Sequence, residues 1–166
     1  MQVLFCKGKS WTSNLIASID DTDVSHVALS SWKLMDRNLI FHSTSKGVNI
    51  TTKSAFVKDY DIKRIYEVPV NNEFTESYIL WKMIEEYEGA PYDYLALVYL
   101  GLFLLCKRMG IGLPPVNRWQ NKNHYICTEF ATLAIMGNTN SMASLKTLEK
   151  YILEKFAQND SRLSFF

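Results

Sequence analysis

Tyr125-Ile126-Cys127-Thr128-Glu129-Phe130 opens the most informative helix in the chain. Phe130, Leu133 and Ala134 recur at helical spacing, and Gly137-Asn138 supplies a stop, so a helix is predicted over 127–136. This puts the Cys127 thiol on the first turn. The partial positive charge there favours a thiolate and is expected to lower the thiol pKa. The free amides of the same turn are suited to hold an oxyanion. A lone cysteine is also a common buried structural residue, so the assignment depends on partners elsewhere in the chain.

The first partner is His26, in Val24-Ser25-His26-Val27-Ala28-Leu29. Residues 25–32 read as a strand. Alternation puts Val24, His26, Ala28 and Ser30 on one face, with Ser25, Val27 and Leu29 on the other. An imidazole projecting from a rigid strand is a good platform for a general base. Residues 38–43 read as the next strand and carry His42, with a turn over Lys33–Arg37. In a hairpin, His42 approaches His26 across the pair. It then fills the third, orienting position of a nucleophile–base–orienter set. Each histidine taken alone also reads as an ordinary structural one.

Further strands are predicted at Val3–Phe5, Val48–Thr51 and Arg64–Val70, the last with Pro69 near its edge. Ser13–Ile19 reads as a short helix. A helix opened by Thr75 and Glu76 runs to about Tyr87 and ends at Gly89-Ala90-Pro91; a second covers Asp93–Met109. Gly110–Pro115 is a loop, and Ser144–Phe156 a last helix capped by Ser144. Residues 156–166 are expected to form a loose tail. The pattern is α+β: a small antiparallel sheet or half-barrel carries both histidines and packs on the helix that presents Cys127.

The 166 residues suit a single domain, 1–166, with 48% hydrophobic and 21% charged residues. A net charge of +1 and scattered lysines and arginines give no basis for nucleic-acid binding. Cys6, Cys106 and Cys127 form no CxxC pair, which argues against a zinc site or a disulfide framework and for a reducing compartment. With no export signal or spanning stretch evident, a cytoplasmic location is expected. His124 precedes Cys127 by three residues but has no second ligand pair, and is read as a loop residue near the cleft. Asp20, Asp21 and Asp23 lack EF-hand spacing and read as a solvated loop. No metal and no cofactor is expected. A P-loop, a dinucleotide fingerprint and a GxSxG elbow are all absent. Leu95–Cys106 is almost wholly apolar yet well short of the roughly 20 residues needed to span a bilayer. It reads as a buried core helix or as one that meets a membrane surface or a lipid-like substrate.

The order of these motifs resembles the circularly permuted branch of the NlpC-type papain-like superfamily. The nearest patterns are those of the YiiX/YaeF-like proteins, with the lecithin:retinol acyltransferase group as cousins. Ser25-His26-Val27 comes early, a polar residue follows on the next strand, and Tyr125-x-Cys127-Thr128-Glu129-Phe130 comes late. Trp11–Val27, Phe41–Ile50 and Gly89–Leu95 resemble further family segments, so the likeness touches most of residues 1–136. It implies Cys127 as nucleophile, His26 as general base and His42 as orienter. It also implies that Tyr125 and Thr128 line the oxyanion cleft, and that Glu129 supports the helix N-terminus or bonds to the histidine strand. The implied activity is a thiol hydrolase cleaving a peptide or peptidoglycan-type amide through a thioester. A lipid acyl hydrolase or acyltransferase, or a non-catalytic binding domain of the same fold, are the alternatives.

Overall fold

A computed structural model describes residues 1–31, 39–69, 73–140 and 142–156. The expected turn at Lys33–Arg37 lies outside the described residues, as does the tail beyond Phe156. Among the described residues the fold is α+β, with a five-stranded open antiparallel sheet and six helices.

The elements are β1 (Gln2–Gly8), α1 (Trp11–Asp20), β2 (His26–Ser31), β3 (Leu39–Thr44), β4 (Gly47–Thr52) and α2 (Lys53–Asp59). They continue with β5 (Tyr60–Glu67), α3 (Glu73–Tyr87), α4 (Tyr94–Arg108), α5 (Cys127–Met136) and α6 (Leu145–Phe156). The strand order is β4-β3-β2-β1-β5. β1 is therefore an interior strand, paired with β2 and β5, and its side chains are buried on both faces.

One face of the sheet carries Val3, Phe5, Val27, Leu29 and Phe41, which pack against Phe130 of α5 and its neighbours in the main core. The opposite face carries Leu4, Cys6, Ala28 and Ile40, covered by Phe56 of α2. α2 was not anticipated. Thr52 caps it, its hydroxyl accepting the Ala55 N–H.

Three local expectations need correction. Val24 joins Val27 and Leu29 in the main core instead of sharing the face of His26. The strand starts only at His26, so alternation does not extend back to Val24. β5 starts at Tyr60 and ends before Pro69, several residues earlier than predicted, because its residues 60–65 alternate half-buried and exposed at a sheet edge. Asp20 is not solvated. It is buried at the end of α1 and accepts the Lys146 N–H at the start of α6, 3.0 Å away.

Gly47 fixes a crossing. Its φ is +96°, and an added Cβ would lie 2.5 Å from the Ala90 carbonyl oxygen. Close approach lets Val48 N–H donate to Ala90 O, and Gly89 N–H to Val48 O. The β3–β4 hairpin is thereby tied to the segment that leads into α4.

Candidate active site

The site forms where two strands part. β2 and β3 are in register from Ser31–Leu39 to Leu29–Phe41. Beyond that, His26 Nε2 and His42 Nδ1 bridge the gap at 3.1 Å. The start of α5 docks at the same place. Ser43 Oγ donates to Tyr125 O at 2.5 Å, and the Val27 backbone lies against the Cys127 sulfur. The Cys127 thiol thus rests on the backbone one residue past His26. His26 bonds to His42, while the backbone N–H groups of Val27, Thr128 and Cys127 favour the thiolate form of Cys127.

The His26–His42 bond joins Nε2 of one ring to Nδ1 of the other, so one of these two atoms carries the shared proton. Asn49 Nδ2 donates to Thr44 Oγ1 and Gly47 O, which leaves its carbonyl oxygen for His42. Asn49 beside the His42 ring favours its protonated form. With the shared proton on His26 Nε2, His42 Nδ1 is the acceptor. The lone pair on His26 Nδ1 is then the basic atom of the pair.

Aromatic rings enclose both imidazoles. Tyr60 stacks on His26 with centroids 4.6 Å apart, and Phe56 stacks on Tyr60 at 4.7 Å. Both rings come from the α2–β5 corner, which no local motif announces. Burial, and then His42, hold the His26 pKa well below its ordinary value. Burial also brings His42 down to about 4, opposed by Asn49 and the Asp59 charge.

Burial likewise pushes the Cys127 thiol up to about 11. The amides of Val27, Thr128 and Cys127 act in the lowering direction, as expected at a helix start, but they are outweighed. The expected net lowering is therefore overturned: the thiol and its imidazole neighbours are neutral at rest.

Ile126 is the N-cap of α5 and has no side-chain acceptor to cap the helix. Glu129 compensates. Its Oε2 accepts the Ile126 N–H at 2.9 Å and its Oε1 accepts Gln120 Nε2 at 2.9 Å. Glu129 is fully buried, and burial raises its pKa to about 7. Asp93 anchors the preceding loop, accepting the Ala96 and Asn121 N–H groups.

Cys127 and Thr128 line a groove of about 370 Å³ between α1 and α4. Its walls are almost entirely apolar, with Leu15, Ile19, Val98, Leu102 and Leu105 prominent. The Thr128 hydroxyl is buried and has no hydrogen-bond partner among the described residues. The tyrosine beside Cys127 in this groove is Tyr92; the ring of Tyr125 turns edge-on to Tyr87 at 5.2 Å. His124 Nδ1 donates to Lys122 O within its own loop. Of the predicted set, His26 and His42 are hydrogen-bonded, and Cys127 lies against Val27, the residue after His26, and lines the groove with Thr128, whereas neither histidine lines it. Among the described residues no cluster of three or more His, Cys, Asp or Glu suits a metal ion.

No protein-family model matches the chain, and no curated protein matches it.

Proposed function

We propose that the chain is a thiol-dependent acyl hydrolase or acyltransferase of permuted papain-like architecture, acting on a substrate whose acyl group is a long apolar chain. The observation that carries the proposal is the groove: its almost wholly apolar walls reach Cys127 and Thr128. A peptide or peptidoglycan-type amide, with its polar backbone, matches such walls less well than an aliphatic chain does.

The chemistry is nucleophilic. The sulfur gives its proton to His26 Nδ1 as it attacks the acyl carbonyl carbon. The carbonyl electron pair moves to oxygen, and the amides at the start of α5 with the Thr128 hydroxyl hold that charge. Collapse breaks the bond to the alcohol or amine, which takes the proton from His26 and leaves a thioester on Cys127. Water or an acceptor hydroxyl then attacks the thioester, losing its proton to His26. The thiolate departs and is reprotonated from His26. His42, held by Asn49, orients the base throughout. A reducing compartment such as the cytoplasm keeps the thiol available.

The test compares 4-nitrophenyl esters of short and long fatty acids with a peptide 4-nitroanilide, and reads the mass of the intact protein. The expected result is an acyl adduct on Cys127, faster with the longer ester and absent in Cys127→Ala. No adduct with any of the three substrates excludes the enzyme. The second reading, a binding domain of the same fold, is favoured by the thiol being held protonated. Fatty-acid binding without any adduct would select it.

A further inference from the structure

α4 is apolar on two sides. Ala96, Leu100 and Cys106 face inward and are buried. Leu95, Val98, Leu102, Leu105 and Met109 form a second stripe at three- and four-residue spacing, and all are at least 41% exposed. Trp11 and Leu15 of α1 are exposed as well, Trp11 at 75%. A soluble protein rarely leaves so much contiguous apolar surface uncovered unless something binds there.

The stripe is also the outer rim of the groove. Leu15, Val98, Leu102 and Leu105 line the groove and are exposed at the same time. The apolar path from the surface to Cys127 is therefore continuous.

Charge narrows the choice of partner. Residues 94–125 hold four lysines and arginines and no aspartate or glutamate, although the whole chain carries only +1. Lys107, Arg108, Arg118 and Lys122 are all exposed. Arg108 donates to Ser18 O and pairs with Asp21, so its head lies at the seam between α1 and α4. Trp119, 45% exposed, lies in the same cationic segment. An apolar helix face edged by cations and tryptophans is the pattern of an interfacial helix. Among the described residues no helix is long and apolar enough to cross a membrane. The fifteen residues of α4 extend about 22 Å, short of a hydrocarbon core of about 30 Å, so the helix is suited to lie in the plane. A second copy of the chain seated here would oppose two cationic segments.

We propose that the outward face of α4, with Trp11 and Leu15 beside it, docks on an anionic phospholipid bilayer and opens the groove toward the lipid. The inference goes beyond the acyl-transfer reading and is testable without it.

The experiment is flotation of the full chain with vesicles of phosphatidylcholine alone, or of phosphatidylcholine with phosphatidylglycerol, at low and physiological salt. The expected result is co-flotation with the anionic vesicles, weakening as salt rises. Leu95→Glu with Met109→Glu should lose at least about tenfold in binding. Neither residue lines the groove, so their turnover of a short soluble ester without vesicles should match wild type. Lys107→Gln with Lys122→Gln should weaken binding to the anionic vesicles only. Cys127→Ala should float like wild type, which separates docking from chemistry. Thermal melting checks each variant, and Leu95→Ser replaces the glutamate pair if that pair fails to fold.

Three outcomes overturn the proposal. One is no flotation with either vesicle, or equal flotation with both. Another is unchanged flotation of the Leu95→Glu, Met109→Glu variant. The third is a dimer that this variant abolishes, with no vesicle binding by wild type.

Discussion

Cys127 is subject to two opposed influences. The amides of the α5 start stabilise a thiolate, while burial under the sheet disfavours any charge, and burial wins. The consequence is measurable. Iodoacetamide should alkylate Cys127 slowly at neutral pH and about tenfold faster per pH unit on the way up to about 11. A plateau near neutrality, read by peptide mass spectrometry to separate Cys127 from Cys6 and Cys106, would show a pre-formed ion pair and contradict this account. Thr128 stands out for a different reason. Its hydroxyl is buried without a partner among the described residues, which costs stability.

At the scale of elements, the β3–β4 hairpin and the approach to α4 are joined through Gly47 and Ala90. Gly47→Ala meets both an unfavourable φ and a carbonyl oxygen at 2.5 Å. It should lower stability by about 2–3 kcal/mol. Gly89 also has positive φ, but an added Cβ meets nothing within 4 Å among the described residues. Gly89→Ala should therefore cost distinctly less, about 1 kcal/mol. Urea titration of the two variants checks the order; equal losses would mean that the close approach is unimportant. The same elements show what the sequence made legible. The bounds of α5 were readable because apolar spacing, a helix start and Gly137 agree, and the His26–His42 approach followed from the hairpin. α2 was not legible, since seven residues are too few to establish a period. The stacking of Tyr60 on His26 was hidden as well, because it depends on β5 returning to pair with β1. Asp20 misled for a similar reason. Its local run of acids reads as solvated, whereas its partner on α6 lies 126 residues away.

Across the whole molecule, two buried groups respond to acid in opposite senses. Glu129 takes a proton in the folded state near pH 7, against an ordinary value of 4.5. Acidification from about 7 to 4.5 therefore protonates the folded chain first, and this term adds stability as pH falls. His42 titrates near 4 when folded, against 6.5 ordinarily. Acidification from 6.5 to 4 protonates the unfolded chain first, and this term removes stability as pH falls. Each group contributes up to about 1.4 kcal/mol per pH unit within its window. His42→Asn should thus make the loss of stability on acidification shallower, and Glu129→Gln should make it steeper. Melting temperatures at pH 7, 6 and 5 check both signs; two shifts in one direction would refute the assignment.

The order in which the chain is made gives the parting of β2 and β3 a further meaning. His26 and His42 leave the ribosome before Cys127, which follows His26 by roughly a hundred residues. At about 5–20 residues per second of synthesis, that is a delay of about 5–20 seconds. During that interval the gap between the two strands has no helix to fill it. Any reaction that needs sulfur and imidazole together is withheld until α5 has emerged, so a product truncated before α5 carries the base without the nucleophile.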